Sequence, residues 1–347
     1  MRVILSTNAT ARDVGEVVRT VRENTSVPCD YDVSSLDGRI VIDFSYIGVD
    51  PDRELLLRCP GVEEIEDIPS LYNAASVNGR RPEKRAIEIP FADVDIGGDE
   101  FVVMAGPCAV ETPDRMLEIA RMAKNAGAKI LRGGAFKPRT SPYSFQGLGE
   151  EGLKILAEIR EQVGIAVVTE AMEPLTVSMV SEIADIIQIG SRNMQNFPLL
   201  KAVGHQPKPV LLKRGMSATL EEWLSAAEYV ISEGNPNIIL CERGIRTFST
   251  HSRHTLDIGV ITAIRDLSPL PVVIDPSHAT GNAGRVPSMA MASIAAGADG
   301  LLVEIHPEPH LAYSDGFQAL NFEEFGSMMD DLDRIAMAVG RRIKIPS

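Results

Sequence analysis

Four residues far apart in this chain are of the types that hold a divalent cation: Cys108, His278, Glu304 and, as a further candidate, Asp315. A thiol, an imidazole and carboxylates form a mixed soft and hard donor set. Such a set suits Mn, Fe, Co, Zn or Cu without choosing among them. A Cys–His pair also admits nucleophilic chemistry. Taken alone, Cys108 reads as a small buried apolar residue. A second set is cationic: Arg132, Lys137, Arg139, Arg192, Lys213, Arg214 and Arg243. Guanidinium forks match phosphate and carboxylate oxygens two at a time. The whole chain has 34 Lys+Arg against 48 Asp+Glu, a formal charge of −14. A cationic cluster in so acidic a protein therefore points to a ligand with more than one anionic group. The bland alternative is ion pairing with Glu170, Glu242 and Asp275. Arg214 directly follows Lys213, so in a strand it points the opposite way.

The elements that must position these residues are legible. Eight short apolar runs read as strands: Phe101–Ala105, Lys129–Arg132, Ala166–Glu170, Ile186–Ile189, Val210–Lys213, Ile238–Cys241, Val272–Asp275 and Gly300–Glu304. Near-continuous apolar character suits strands covered on both faces. Amphipathic helical segments separate them, among them Pro113–Ala126, Glu150–Val163, Leu220–Glu233 and Pro287–Ala296. Eight β-α repeats predict a (β/α)8 barrel, whose reactive face is built from the C-terminal strand ends. Each run here stops at a reactive or charged group. An open doubly wound sheet is the alternative, but no G-x-G-x-x-G follows the first strand and no Walker motif occurs.

Residues 1–72 read as a small α+β domain of the ferredoxin-like type, with elements at Arg2–Leu5, Ala11–Asn24, Arg39–Ser45, Pro51–Arg58 and Val62–Ile68 and one strand unassigned. It is either a structural, oligomerising appendage or a regulatory module. A polar linker is expected at 73–85, and the barrel at 86–347, opened by a hairpin of Ala86–Ile89 and Ala92–Ile96.

No stretch of about 18 apolar residues is present, so no membrane span is expected, and the N-terminus lacks the apolar core of a signal peptide. Four cysteines (Cys29, Cys59, Cys108, Cys241) do not make a disulfide framework, and a reduced, cytoplasmic protein is expected. The acidic balance disfavours nucleic acid as a partner. His251 and His254 are expected on a surface loop or helix start, His310 is expected to be exposed, and Cys241 is expected to pack within its strand.

Seven motifs, in order, carry a resemblance. They are GPCAVE at 106–111, RGGAFKPRTSPYSFQG at 132–147, IGSRN at 189–193, LKRG at 212–215, CERGIRT at 241–247, DPSHATG at 275–281 and VEIHP at 303–307. Together they resemble 3-deoxy-D-arabino-heptulosonate 7-phosphate (DAHP) synthases over about residues 86–340. The N-terminal layout is similar to the ferredoxin-like extension of the type I β subgroup. The 3-deoxy-D-manno-octulosonate 8-phosphate synthases share barrel motifs, but the segment Lys137–Ser141 sides with the DAHP enzymes. The resemblance implies condensation of phosphoenolpyruvate with erythrose 4-phosphate on a divalent metal ion (Mn, Fe, Co or Zn). It implies that Arg132, Lys137, Arg192, Lys213 and Arg243 hold phosphoenolpyruvate, that Arg139, Thr140 and Ser141 hold the aldose phosphate, and that Cys108, His278, Glu304 and Asp315 bind the metal. Lys137 is the candidate proton donor, with a metal-bound water as the alternative. A homotetramer and feedback by Tyr or Phe through the N-terminal domain are also implied. His251 and His254 depart from the family pattern, which leaves the role of their loop open.

Overall fold

In the computed structural model, residues 1–25, 29–45, 51–66, 75, 85–138, 141 and 143–343 are described. The chain forms two compact units, Met1–Glu83 with Arg265–Pro269, and Lys84–Ile264 with Leu270–Ser347. The linker expected at 73–85 is described only at Ala75 and Arg85.

The first unit holds strands β1 (Arg2–Leu5), β2 (Asp30–Leu36), β3 (Arg39–Ser45) and β4 (Val62–Glu66), in the sheet order β2-β3-β1-β4, with helices Ala11–Asn24 and Arg53–Leu57. The order βαββαβ is that of a ferredoxin-like sandwich. The helix Ala11–Asn24 buries Val17, Val18 and Val21, as its 3.6-residue spacing predicts. They pack on Val3, Leu5, Ile42, Phe44 and Leu56. The strand unassigned in the sequence is β2. It is a sheet edge paired with β3, and Tyr31, Val33 and Leu36 are exposed, so it lacks the apolar signal of a core strand. The expected helix Pro51–Arg58 shortens to Arg53–Leu57, because Asp52 caps it by accepting from the Glu54 amide at 2.9 Å.

The second unit opens with the hairpin β5 (Ile87–Ile89) and β6 (Val94–Ile96). Eight parallel strands follow: β7 (Val102–Gly106), β8 (Ile130–Arg132), β9 (Ala166–Ala171), β10 (Ile186–Ile189), β11 (Val210–Lys213), β12 (Ile238–Glu242), β13 (Val272–Ile274) and β14 (Gly300–Glu304). They close into a barrel, with β14 pairing back to β7. The predicted helices appear as Pro113–Asn125, Glu150–Val163, Leu220–Ser232 and Val286–Ala296. Ile87, Ile89, Val94 and Ile96 share one buried cluster with Val102, Met104, Ile130, Ala166, Val168, Ile186, Leu211, Ile239, Cys241, Val273 and Leu302. Several of these are the first residues of their strands, so the hairpin plugs the N-terminal end of the barrel. The opposite end is left for chemistry. No helix among the described residues is long and apolar enough to cross a membrane.

Candidate active site

Side chains alternate along a strand, so the interior row of each strand predicts its next inward residue. The buried interior residues Ile130, Val168, Ile186, Leu211, Cys241, Val273 and Leu302 are followed two positions on by Arg132, Glu170, Gln188, Lys213, Arg243, Asp275 and Glu304. One polar layer thus sits on top of the apolar core, and all seven residues in it are buried. The opposite parity sends Arg214 and Glu242 outward. There Arg214 Nη1 meets Glu242 Oε2 at 3.1 Å and Asp257 Oδ2 at 2.8 Å, beside the Trp223 ring. Burial pushes the Glu242 carboxyl up, and Arg214 opposes that shift. Arg214 is therefore a structural ion-pair partner, as its place in the strand suggests.

The donor set converges. One ligand atom each from Cys108, His278, Glu304 and Asp315 lies within 4.8 Å of the others. Two atoms bound to one ion at 2.0–2.3 Å stand at most about 4–4.6 Å apart, so a contraction of a few tenths of an ångström brings the set to the size of a metal site. Cys108 Sγ is 3.1 Å from Asp315 Oδ2, and His278 Nε2 is 3.3 Å from Glu304 Oε1. Cys108 reaches this point because β7 ends in Gly106, where a Cβ would run into the Arg132 carbonyl oxygen of the neighbouring strand. His278 lies on the short helix Pro276–Thr280, capped by Asp275, whose Oδ1 accepts from the His278 amide at 2.9 Å. His278 Nδ1 lies 2.7 Å from Asp275 Oδ2, which leaves Nε2 facing the other donors.

The charges around the cluster are tightly coupled. Burial pushes the Cys108 thiol up to about 11, and the Glu304 carboxylate adds to this, so the thiol keeps its proton unless positive charge arrives. Burial and Lys213 lower the pKa of His278, against the pull of Asp275 and Glu304. Burial works to raise Glu304 and Asp275, but His278 with Arg132, and His278 with Lys213, hold both below the usual carboxylate range. An imidazole whose pKa burial pulls down, carboxylates on Glu304 and Asp315 held below their usual range, and a thiol whose proton a cation would displace fit a divalent metal ion.

Of the expected cations, Arg132, Lys213 and Lys137 touch the cluster or its neighbour Asp275. Arg132 Nη1 is 2.5 Å from Glu304 Oε1 and Lys213 Nζ is 2.5 Å from Asp275 Oδ2. Lys137 Nζ lies 2.9 Å from Cys108 Sγ and donates to the Cys108 carbonyl oxygen at 2.9 Å. Arg192 donates to the Pro138 carbonyl at 3.2 Å and is exposed. Arg243 is buried, yet it meets no carboxylate within ion-pair distance among the described residues; its Nη1 reaches only the Gly244 carbonyl oxygen at 3.5 Å. Burial pushes its pKa down, and the field of Asp275 opposes. Ion pairing thus accounts for Arg132, Lys213 and Arg214 but leaves Lys137, Arg192 and Arg243 without a carboxylate at ion-pair distance among the described residues. Ser141 is exposed, and Arg139 and Thr140 lie outside the described residues.

Glu170 has no cationic partner among the described residues. Its Oε2 accepts from Gln188 Nε2 at 3.1 Å, and its buried Oε1 has no donor among the described residues. Gly190 makes room for it, since a Cβ there would collide with Oε1. His251 and His310 are exposed, as expected. His254 is not fully so: it is partly buried, its Nδ1 has no partner, and burial with Arg243, Arg253, Arg246 and His278 pushes its pKa down to about 4. Cys241 packs in the barrel core. Two features escaped sequence reasoning. Glu111 accepts from the Tyr313 amide at 2.9 Å and meets His306 Nε2 at 3.2 Å, tying the loop after β14 to that after β7. Gln318 and Arg253 stand behind the acidic members of the cluster, Glu304 and Asp315. Nothing in local spacing marks them, because their partners are 14 or more residues away.

A closed barrel with a thiol, an imidazole and two carboxylates gathered beside buried cations is an enzyme-like site for an anionic substrate and a metal ion. The profile of the DAHP synthetase I family matches residues 76–338, and the chain belongs to that family. It is 45% identical over 347 residues to the phospho-2-dehydro-3-deoxyheptonate aldolase of Thermotoga maritima, covering 99% of this chain and 100% of that protein. The crystal structure of phospho-2-dehydro-3-deoxyheptonate aldolase (DAHP synthase) from Thermotoga maritima superposes with a TM-score of 0.78 at 42% identity, covering 99% of each chain. A 2-dehydro-3-deoxyphosphooctonate aldolase of Syntrophobacter fumaroxidans is 32% identical over 68% of this chain and 88% of its own length.

Proposed function

We propose that the chain condenses phosphoenolpyruvate with erythrose 4-phosphate and water to give 3-deoxy-D-arabino-heptulosonate 7-phosphate and inorganic phosphate, at a site that carries a divalent metal ion. The observation that carries this reading is the donor cluster of Cys108, His278, Glu304 and Asp315 set directly against Lys137. Family membership and the full-length relatedness to a phospho-2-dehydro-3-deoxyheptonate aldolase support it.

When bound, the metal ion supplies Lewis-acid stabilisation of the negative charge that develops on the aldehyde oxygen. The residues do the rest. Arg132, Lys137, Arg192, Lys213 and Arg243 bind the carboxylate and phosphate of phosphoenolpyruvate and aim its C3 at the aldehyde carbon. Arg139, Thr140 and Ser141 bind the aldose phosphate. C3 forms the new carbon–carbon bond, water adds at C2, and the adduct loses phosphate by C–O cleavage. Glu170 Oε1, an inward acceptor without a donor, orients that water. Lys137 gives the proton to the new hydroxyl. A coupled assay of phosphoenolpyruvate loss tests the reading. Turnover is expected with erythrose 4-phosphate, little with arabinose 5-phosphate, and none after chelation until Mn²⁺ is restored. Full turnover without metal, or preference for the pentose phosphate, ends it.

The domain layout supports a regulatory role for the N-terminal unit, with Tyr or Phe as effector and a homotetramer as the working assembly. Removing residues 1–80 is expected to keep turnover and abolish inhibition. A truncated enzyme inhibited as before rules this out.

A further inference from the structure

The loop between β12 and the helix Gly259–Leu267 has no assigned role, and its two histidines draw attention to the wrong residue. The residue that reaches the cluster is Arg253. Its Nη1 donates to Gln318 Oε1 at 3.0 Å and lies 3.4 Å from Asp315 Oδ1. Gln318 is fully buried, and its Nε2 donates to Glu304 Oε2 at 2.8 Å. Each acidic ligand is therefore divided. Glu304 Oε1 faces His278 and Arg132 while Oε2 is held by Gln318. Asp315 Oδ2 faces Cys108 while Oδ1 is held by Arg253.

The guanidinium also fixes which way the Gln318 amide points. A flipped amide would set its oxygen against the Glu304 carboxylate and its NH2 against Arg253, two repulsions in place of two hydrogen bonds. The backbone of the same loop docks on the His278 helix, where the Arg253 amide donates to the Thr280 carbonyl at 3.2 Å and the His254 amide to the Ala279 carbonyl at 2.8 Å. Two of the four donors are thus tied to the Arg253 side chain, and the short helix that carries a third is tied to its backbone amide. The need for such a tie is visible in the backbone. Asp315 is a non-glycine residue at φ +54°, and a Cβ on the next residue, Gly316, would collide with the Pro309 carbonyl oxygen. A left-handed aspartate is disfavoured unless its surroundings hold it.

We propose that Arg253, acting directly on Asp315 and through Gln318 on Glu304, is a positioning residue that sets the affinity of the site for its divalent cation. The proposal rests on the metal-site reading above. Partners of this kind behind ligating carboxylates are worth about 10–100-fold in metal affinity.

The test is calorimetric titration of Mn²⁺ into metal-stripped, full-length protein, comparing wild type with Arg253→Met, Arg253→Lys, Gln318→Leu and the Arg253→Met/Gln318→Leu double variant. Arg253 is partly exposed, so its replacement leaves the fold intact; circular dichroism and thermal melting check this. The dissociation constant is expected to rise about 10–100-fold for Arg253→Met and for Gln318→Leu. Arg253→Lys should recover part of the loss, and the double variant should bind about as weakly as Arg253→Met alone, because the two residues act in series. With Co²⁺ as the probe, the thiolate charge-transfer band should persist at saturation, since Cys108 is untouched. Folded Arg253→Met and Gln318→Leu variants that bind Mn²⁺ within about twofold of wild type would overturn the proposal. Wild-type protein that takes up no Mn²⁺ overturns the metal reading itself, and this proposal with it.

Discussion

Arg243 carries an inward charge that no carboxylate among the described residues neutralises, and replacing it with Met is expected to move stability and binding in opposite directions. Arg243 is 5% exposed, and burial pushes its pKa down while Asp275 only partly compensates. The effective penalty for a buried ion is several kcal/mol, of which the field of Asp275 returns a part. Arg243→Met should therefore stabilise the ligand-free protein by about 1–2 kcal/mol, which raises the apparent Tm by about 2–8 °C for a unit of this size. Binding should suffer. Hydrogen bonds to charged groups contribute about 1.5–3 kcal/mol each, and a fork makes two, so phosphoenolpyruvate should bind about 10²–10⁴-fold more weakly. Arg214→Met is the contrasting control. It leaves Glu242, fully buried, without its cation, and should cost about 3–5 kcal/mol. Thermal melting and isothermal titration with phosphoenolpyruvate read both quantities. If Arg243→Met lowers the Tm as Arg214→Met does, or leaves phosphoenolpyruvate affinity within about threefold, Arg243 is a structural residue and the reasoning fails.

Three further predictions follow from the same geometry. Glu170→Gln keeps the shape but removes the charge of the inward acceptor; kcat should fall about 10²–10⁴-fold at unchanged Tm, and a loss confined to KM would contradict its role. Ile89→Ala, at a fully buried position in the hairpin plug, should cost about 2–5 kcal/mol in urea unfolding, whereas a loss under about 1 kcal/mol would mean the hairpin does not seal the barrel. His254 faces Arg243, Arg253, Arg246 and His278 and titrates at about 4 instead of 6.5, so the unfolded chain binds its proton first. The His254 contribution to stability is therefore fully present above pH 6.5 and is lost as the pH drops toward 4. His254→Asn should flatten that decline, and an NMR titration placing His254 at pH 6 or above would refute the assignment.

How far the sequence could be read depended on the range of the interactions. The eight barrel strands were legible because each is an apolar run covered on both faces, and the polar layer was legible because strand parity carries Ile130 to Arg132 and Leu211 to Lys213. Parity also sorted Arg214 away from the site. The edge strand β2 was missed because its residues stay exposed, although Asp37-Gly38, with φ +52° and +79°, was a hairpin signal in plain view. The candidate donors Cys108 and His278 were legible from residue type at strand ends. Arg253, Gln318 and the Glu111–His306 pair were not, since each acts through a partner brought close only by closure of the barrel. Glu170 was noticed as a possible ion-pair partner, and only the fold shows that no described cation reaches it.

The central claim is that Cys108, His278, Glu304 and Asp315 share one ion beside the phosphoenolpyruvate site. Anomalous diffraction from crystals of the full-length protein grown with Mn²⁺ and phosphoenolpyruvate addresses it directly. A single strong anomalous peak is expected at about 2.0–2.3 Å from Cys108 Sγ, His278 Nε2 and the two carboxylates, with the ligand's phosphate and carboxylate on Arg243, Lys213 and Lys137. A peak away from these side chains, or none at saturating Mn²⁺, would contradict it.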